Sequence, residues 1–144
     1  MSAVTGALAA FAEALGADAV LTSPGELAEF GDPYAPAGSD EQEAAAVVQP
    51  ASVEEVQAVV HIAREHGVSL WTTSQGRNNG YGGSAPRVRG SVVVNLRRMN
   101  RVLEVDEEHA YAVVEPGVSF FDLYEAVRGR KLWISTPDLG WGSV

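Results

Sequence analysis

A glycine-rich stretch directly after an apolar run constrains this chain more than any other feature. Residues 73–83 read Thr-Ser-Gln-Gly-Arg-Asn-Asn-Gly-Tyr-Gly-Gly and follow the apolar segment Val68 to Thr72. Glycine reaches positive φ without steric cost and lets a ligand approach the backbone, so consecutive N–H groups can converge on anionic oxygens. Asn-Gly and Gly-Gly also mark ordinary turns. The residues alone therefore leave two interpretations open, an anion-binding loop and a plain turn.

Neither standard nucleotide-binding pattern fits this stretch, called here the glycine loop (residues 73–83). A P-loop needs Gly-x-x-x-x-Gly-Lys-Ser/Thr, and a Rossmann fingerprint needs Gly-x-Gly-x-x-Gly at the start of a helix. The loop instead continues into Ser-Ala-Pro-Arg, which is not a helix start. Within the loop, Arg77 can pair with a phosphate through its planar fork, and Asn78 and Asn79 tolerate left-handed backbone.

Charge is distributed unevenly along the chain. The net charge of −9 argues against binding to nucleic acid or an anionic membrane, because both need a basic surface. Residues 1–63 hold ten acids and no Lys or Arg, whereas the segment from His66 to Leu103 holds six Arg and no acid. This contrast predicts a local positive field around the glycine loop. Within that segment, Arg89, Arg97 and Arg98 are expected to be ordinary solvated side chains.

Several chemistries are excluded by what the sequence lacks. The chain has no Cys, which rules out a disulfide, thiolate chemistry and a Cys-bound metal. The three His, at 61, 66 and 109, show no spacing with carboxylates that predicts a metal site. No apolar run approaches the roughly 20 residues that cross a bilayer. The first cation is Arg64, so no basic signal-peptide region is visible, and we expect a cytoplasmic protein.

The order of predicted elements gives the fold class. Helices are predicted over Ala3 to Leu15, from Ser23-Pro24 to about Phe30, from Ser52 to Gly67 and from Ser119 to about Val127. Strands are predicted over Ala44–Val48, Val68–Thr72, Ser91–Leu96, Val102–Val105, Tyr111–Val114 and Leu132–Ser135. The first strand, helix and strand predict a parallel βαβ unit whose carboxyl edge carries the glycine loop. Short connections between the next three strands predict a mostly antiparallel unit, and the fold class is therefore α+β.

The same pattern divides the chain into two parts. Residues 1–43 are predicted to be helices followed by a loop, and residues 44–144 are predicted to be the first part of a ligand-binding domain. A second glycine-rich turn lies near the end of the chain, at residues 137–143, Pro-Asp-Leu-Gly-Trp-Gly-Ser. Pro-Asp turns with glycines behind them are common in surface loops, so the residues alone favour a plain turn there.

Together these segments resemble the vanillyl-alcohol oxidase type of flavoprotein. The likeness is carried by the glycine loop, Ser84-Ala85-Pro86-Arg87, Asn95-Leu96, Met99-Asn100, Val114 to Val118 and Thr136 to Val144. It is greatest to the phenol-oxidising branch that contains vanillyl-alcohol oxidase, eugenol oxidase and 4-cresol dehydrogenase, and it runs from about Pro24 to Val144. The resemblance implies the FAD-binding domain of that family, with FAD as the cofactor, incomplete at its C-terminus and without the cap domain.

Site residues follow from the resemblance, position by position. The residues implied to bind the cofactor are Thr73, Ser74, Gln75, Gly76, Arg77, Asn78, Asn79, Gly80, Tyr81, Gly82, Pro137, Gly140, Gly142 and Ser143. The family's carboxylate beside the reactive nitrogen of the flavin ring corresponds to Asp138, and its loop tyrosine against the substrate's phenol oxygen corresponds to Tyr81. The glycine loop has no His and the chain has no Cys, which excludes a covalent tether to FAD through this loop.

The resemblance also implies an activity. We expect oxidation of para-substituted phenols, such as 4-hydroxybenzylic alcohols or 4-alkylphenols, by hydride transfer from the benzylic carbon to the flavin. Two alternatives stay open: the same fold acting on a 2-hydroxy acid or a sugar, and a non-catalytic, truncated diphosphate-binding module. Flavin binding by residues 1–144 alone is expected to be weak or absent, and the family implies a homodimer for the full-length form. The particular phenol and the electron acceptor are not determined by the sequence.

Overall fold

The computed structural model describes residues 3–32, 43–76, 84–134 and 143–144. Its helices are α1 (Ala3–Leu15), α2 (Pro24–Leu27), α3 (Val53–His66) and α4 (Phe120–Val127), with short 3₁₀ turns at Ala17–Ala19 and Ala28–Phe30. Its strands are β1 (Val20–Leu21), β2 (Ala46–Val48), β3 (Leu70–Thr73), β4 (Val92–Asn95), β5 (Val102–Asp106) and β6 (Tyr111–Val114). The α+β class is confirmed. In the part of the chain so described, no helix is both long and apolar enough to cross a membrane.

A four-stranded sheet with the order β1-β2-β4-β3 forms the centre of the fold. β4 pairs in parallel with β2 on one side and with β3 on the other, while β1 pairs antiparallel with β2. The predicted parallel relation between the strands at Ala44–Val48 and Val68–Thr72 is confirmed, with β4 inserted between them.

The prediction that Ser91–Leu96 belongs to the antiparallel unit is wrong. Its strand, β4, is the central parallel strand of the sheet. Two features of the sequence are consistent with this position. Residues 74–91 separate β3 from β4, and parallel strands need a connection of about a dozen residues or more. The unbroken Val92-Val93-Val94 run suits a strand that is buried on both faces.

Helices and an aromatic residue cover the two faces of the sheet. On one face, Phe11 of α1 and Val59 of α3 pack on Val48, Val92 and other residues of β2 and β4. On the other face, the ring of Phe30 packs on Val47 and Val93. Because Phe30 ends the second 3₁₀ turn, the N-terminal segment supplies part of the core on that side.

Side-chain caps fix the ends of α3. The sequence Ser52-Val53-Glu54-Glu55 predicts a capping box at the start of α3. As that motif requires, Ser52 Oγ accepts a hydrogen bond of 3.2 Å from the N–H of Glu55. The Glu55 carboxylate accepts from the N–H of Ala51 at 2.7 Å, one residue earlier than the predicted return bond. Gly67 ends the helix with φ of 65°, and its N–H donates to the carbonyls of Ala63 and Arg64.

The second unit is the antiparallel pair β5–β6 with α4 packed against it. Its apolar cluster contains Val118, Leu123 and Val127. The strand predicted over Leu132–Ser135 is wrong for residues 132–134, which form no strand, and residue 135 lies outside the described residues. Leu132 and Ile134 instead pack against this cluster, which explains their apolar character without a sheet partner.

Gly117 packs on the turn that follows β4 more closely than any side chain would allow. Its N–H donates to the carbonyl of Met99 at 2.8 Å. A Cβ built at this position would lie 2.8 Å from the carbonyl oxygens of both Arg97 and Met99, and closer still to that of Leu96. Since these neighbours are backbone atoms, they cannot rotate away. Gly117 is therefore needed where the second unit joins the sheet.

Replacing Gly117 by Ala should lower the free energy of unfolding by about 2 kcal/mol or more, because overpacking against fixed atoms costs roughly this much. Urea unfolding followed by circular dichroism measures the change. The matched control is Gly25→Ala, where a Cβ meets nothing within 4 Å, and its effect should stay within about 0.5 kcal/mol. Equal effects at the two positions would contradict the close packing at Gly117.

Candidate functional site: the carboxyl edge of the parallel sheet

Polar side chains gather where the three parallel strands end. Gln49 follows β2, Asn95 is the last residue of β4, and Thr73 is the last residue of β3, with Ser74 directly after it. The carboxyl edge of a parallel sheet is the usual place for a ligand, because loops leave there and backbone groups are left unpaired. The start of the glycine loop lies at this edge.

The Asn95 side chain joins the three strand ends. It is completely buried, and its amide nitrogen donates to the carbonyl oxygen of Ser74 at 2.8 Å and to Thr73 Oγ1 at 3.2 Å. Its amide oxygen accepts from Gln49 Nε2 at 3.3 Å. A buried amide costs free energy unless its donors and acceptors are satisfied, and here the partners come from β2 and β3. Asn95 thus fixes the backbone from which the glycine loop departs.

Ser143 meets the start of the glycine loop. Its hydroxyl is hydrogen-bonded to the hydroxyl of Ser74 and accepts from the N–H of Gln75 at 3.0 Å. Ser143 is held by a β-bridge to Ser119, and the next N–H, that of Val144, donates to the carbonyl of Val118 at 3.1 Å. The end of the second glycine-rich segment therefore lies against the start of the first.

Gln75 links the loop to the second unit. Its side-chain amide donates a hydrogen bond to the carbonyl oxygen of Gly117. Gly117 in turn is packed on the turn after β4, so one side chain ties the glycine loop to that junction. The first residues of the loop are consequently held from β4 on one side and from residues 117 and 143 on the other.

Gly76 has the backbone conformation that the glycine loop predicted. Its φ is 71°, a left-handed value that L side chains rarely adopt. A Cβ there would lie 3.3 Å from Asn95 Nδ2, 3.5 Å from Ser84 Cβ and 3.6 Å from the Phe30 ring. Both the conformation and the close approach favour glycine at the point where the loop leaves the described residues.

The prediction that Arg97 is an ordinary solvated side chain is wrong. The side chain is only 23% exposed and forms a 2.9 Å ion pair with Glu29. The same nitrogen donates to the carbonyl of Gln75 at 3.1 Å, and the guanidinium lies 5.3 Å from the centre of the Phe30 ring. Arg98 is exposed as predicted, although it donates to the carbonyl of Gln49 at 2.8 Å.

An ion pair between Arg101 and Glu115 stabilises the segment next to the site. The Glu115 side chain is 7% exposed and accepts from the Arg101 backbone N–H at 2.8 Å and from Nη2 at 2.6 Å. Hydrogen bonds from the Arg101 side chain, then from its backbone, lower the pKa of Glu115 below its ordinary value of 4.5. Since Gly117 lies two residues further on, this pair helps to place the carbonyl that Gln75 contacts.

Five predicted cofactor-binding residues are thus described and lie together: Thr73, Ser74, Gln75, Gly76 and Ser143. The other nine lie outside the described residues, namely Arg77, Asn78, Asn79, Gly80, Tyr81, Gly82, Pro137, Gly140 and Gly142. Asp138, predicted as a catalytic residue together with Tyr81, lies outside them as well. Asn95, Gln49 and Arg97 are not predicted from the sequence as parts of this edge. A signal for Asn95 was present, because an amide directly after three valines ends an apolar strand with a polar group.

Comparison with known proteins assigns the family. A family model described as "FAD binding domain" matches residues 44–144. The chain belongs to the FAD binding domain family. The resemblance to flavoproteins of the vanillyl-alcohol oxidase type is thereby confirmed, and FAD is the cofactor of the domain.

The chain is similar to parts of three larger proteins. It is 39% identical to the 4-cresol dehydrogenase [hydroxylating] flavoprotein subunit of Pseudomonas putida, over 85% of this chain and 23% of that protein. It is 42% identical to 1'-carboxy-chondrochloren decarboxylase of Chondromyces crocatus, over 92% of this chain and 25% of that protein. The solved structure of 4-ethylphenol oxidase from Gulosibacter chungangensis, an isoeugenol complex, matches with 45% identity and a TM-score of 0.92, over 98% of this chain and 28% of that one.

The chain therefore spans about a quarter of the length of these relatives. By their names, two of the three act on phenols and one is a decarboxylase. The 4-cresol dehydrogenase is a flavoprotein subunit, that is, part of a larger assembly.

The described residues of the FAD domain fit the cofactor that the family implies. Gly76 has positive φ beside a buried amide, an arrangement that brings backbone rather than side chain to a ligand. Arg97 Nε is buried and has no hydrogen-bond partner among the described residues, so an acceptor is expected beside it. The described residues that would hold FAD are Thr73, Ser74, Gln75, Gly76 and Ser143.

Asn95→Ala should lower the free energy of unfolding by about 2 to 3 kcal/mol, because it leaves the Ser74 carbonyl and the Thr73 hydroxyl without a buried donor. Asn95→Asp keeps the shape but places a carboxylate oxygen against the Ser74 carbonyl, and should be at least as destabilising at pH 7. Urea unfolding measures both. Asn100→Ala, at an exposed position, is the control and should change stability by less than about 0.5 kcal/mol.

The Glu115 carboxylate predicts a defined pH dependence. Its folded-state pKa lies below 4.5, so its contribution to stability is complete well above pH 4.5 and is lost as the pH falls through the folded-state pKa. Glu115→Gln should therefore be less stable than the wild type at pH 7, and the difference should shrink as the pH falls below 4.5. Unfolding curves at pH 7, 5 and 3.5 measure it. A difference that does not change with pH would contradict the ionic role, and Glu13→Gln on α1 is the exposed control.

Proposed function

We propose that the chain is the FAD-binding part of an enzyme that oxidises para-substituted phenols. The observation that supports this most is the extent of the likeness to 4-ethylphenol oxidase, which covers nearly the whole chain at 45% identity. That likeness includes the N-terminal segment, which lies before the region matched by the family model. The proposed substrates are 4-alkylphenols or 4-hydroxybenzylic alcohols.

Ionisation of the phenol is the step that the protein must assist. A phenolate pushes electron density through the ring to the benzylic carbon and makes that carbon a far better hydride donor. Phenols titrate near pH 10, and lowering that pKa by about three units corresponds to roughly 4 kcal/mol of differential stabilisation. Oriented donors in a site without water can provide it. When bound, FAD supplies the acceptor for the hydride.

Two residues of this chain are proposed to act at the reacting groups. The Tyr81 hydroxyl donates a hydrogen bond to the phenolate oxygen, and Asp138 is the carboxylate beside the reactive part of the flavin. Tyr81 follows Gly76 by five residues and Asp138 precedes Ser143 by five, and five residues span at most about 18 Å. Because Ser143 contacts Gln75, directly before Gly76, the covalent chain allows the two side chains to act in one site.

Further features of the proposal rest on the sequence and the family alone. A homodimer and a cytoplasmic location stay predictions, as does the division of the chain at residue 44.

The type of reaction also needs to be tested, because one relative is named a decarboxylase. If phenols are not substrates, the same FAD domain is expected to serve a 2-hydroxy acid or a sugar; if no substrate of these classes reduces the flavin, the non-catalytic diphosphate-binding module becomes the preferred interpretation.

The test is flavin reduction by a phenol in protein expressed from the whole reading frame that encodes this chain. Without oxygen, vanillyl alcohol should bleach the flavin absorbance near 450 nm. Its methyl ether, veratryl alcohol, cannot ionise and should reduce the flavin at least about a hundredfold more slowly. Equal rates with both alcohols would contradict the phenolate mechanism. If D-lactate or glucose reduces the flavin and no phenol does, the substrate class is a 2-hydroxy acid or a sugar instead of a phenol.

Tyr81→Phe should slow the reduction by vanillyl alcohol by tens to thousands of fold, corresponding to about 2 to 4 kcal/mol of lost stabilisation. Stopped-flow absorbance measures the rate. The matched control is Tyr124→Phe, which removes the hydroxyl of an exposed tyrosine on α4 and should leave the rate unchanged. An unchanged rate in Tyr81→Phe would remove this residue from the site.

A further inference from the structure

The Arg97 guanidinium contacts both the glycine loop and the N-terminal segment. Its Nη2 donates to Glu29 Oε1 at 2.9 Å and to the carbonyl oxygen of Gln75 at 3.1 Å. Its carbon Cζ lies 5.3 Å from the centre of the Phe30 ring, within the range of a cation–π contact. Three separate contacts therefore fix one side chain at the start of the loop.

The contact with Gln75 sets the direction of one peptide group. In a trans peptide the C=O and the following N–H point to opposite sides. Since Arg97 holds the Gln75 carbonyl, the N–H of Gly76 is turned away from the guanidinium. That N–H is the third amide after the end of β3, following those of Ser74 and Gln75.

The preceding peptide group is fixed in the same way. Asn95 holds the carbonyl of Ser74, and the following N–H, that of Gln75, donates to Ser143 on the other side. Two successive carbonyls are thus held by side chains from the end of β4 and the turn after it. The amides of an anion-binding loop must converge, and fixing these two planes sets the direction in which the loop begins.

Glu29 and Phe30 come from outside the matched domain. The family model begins at residue 44, whereas these two residues end the N-terminal helical segment. Phe30 also lies beside Gly76, since a Cβ on Gly76 would be 3.6 Å from its ring. The N-terminal segment therefore reaches the loop by two contacts, one ionic through Arg97 and one apolar.

We propose that Arg97 is a positioning residue for the glycine loop and that Glu29 holds Arg97 in place, so that FAD affinity depends on the N-terminal segment. The proposal rests on the proposed function in one respect, that the glycine loop receives the diphosphate of FAD. It does not depend on which substrate is oxidised. An arginine suits this role because its planar fork carries several donors in fixed directions, whereas a lysine is a flexible point charge.

The test combines two conservative variants and their double variant in protein expressed from the whole reading frame. Arg97→Lys keeps the charge but loses the fork, and should raise the Kd of FAD about tenfold, since hydrogen bonds to charged groups contribute about this much. Glu29→Gln should raise it about threefold to tenfold. If Glu29 acts through Arg97, the double variant should bind FAD no more weakly than Arg97→Lys alone does. Titration of flavin fluorescence measures the Kd.

A second measurement follows the loop without FAD. In ¹⁵N-labelled, cofactor-free protein, the amide signals of Gln75 and Gly76 should shift in Arg97→Lys and in Glu29→Gln. The matched controls are Arg128→Lys and Glu125→Gln, which alter an exposed ion pair of 3.3 Å at the end of α4 and should change neither signal nor Kd. A general loss of stability would move many signals, whereas a positioning role moves these two most.

If the wild type binds FAD, three outcomes would overturn the proposal. The first is an FAD affinity in both Arg97→Lys and Glu29→Gln that equals the wild-type value. The second is independent effects that multiply in the double variant, which would show that Glu29 does not act through Arg97. The third is unshifted Gln75 and Gly76 signals. Failure of the proposed function gives a different result. If phenols do not reduce the flavin, the Kd of FAD and the amide signals can still be measured and interpreted. If the wild type binds no FAD, the dependence of FAD affinity on Arg97 and Glu29 is overturned directly.

Discussion

The buried amide of Asn95 is the interaction on which the ligand-binding edge depends. Parallel strands end with unpaired carbonyls and hydroxyls, and in a sheet covered on both faces these groups have little access to water. One asparagine satisfies the Ser74 carbonyl and the Thr73 hydroxyl and accepts from Gln49. A hydrophobic residue there would leave the edge unsatisfied. The strand ends therefore stay together at the point where the backbone leaves the sheet.

Local signals in the sequence predicted most of the fold. The Ser23–Glu26 and Ser119–Asp122 capping boxes and the Ser52 cap placed α2, α4 and the start of α3 correctly, because a cap is set by residues a few positions apart. The position of β4 was not predictable in this way. Its place between β2 and β3 depends on pairing with strands far along the chain, and only its continuous apolar character indicated burial on both faces.

The candidate site shows the same division between local and distant information. Glycines at positions needing left-handed backbone are visible in a sequence, and Gly76 has the expected conformation. The sequence predicts a solvated Arg97, because arginines without acids nearby in the sequence are typical of an exposed surface. Its partner, Glu29, lies 68 residues earlier, within residues 1–43, which the sequence predicts to be a separate part of the chain. Contacts between distant segments are decided by the tertiary fold, and a charge count along the chain does not contain them.

These ion pairs also change the electrostatic argument for phosphate binding. The arginine-rich segment predicted a positive field, yet Arg97 pairs with Glu29 at 2.9 Å and Arg101 pairs with Glu115 at 2.6 Å. Each pair cancels most of the long-range field of its arginine, and salt screens what is left beyond roughly 8 to 10 Å. These two of the six arginines therefore add little long-range attraction for an anion. Under the proposed function, backbone amides held in fixed directions would attract a diphosphate at short range without net charge, and the orientation of the first loop peptides would then matter more than the number of arginines near them.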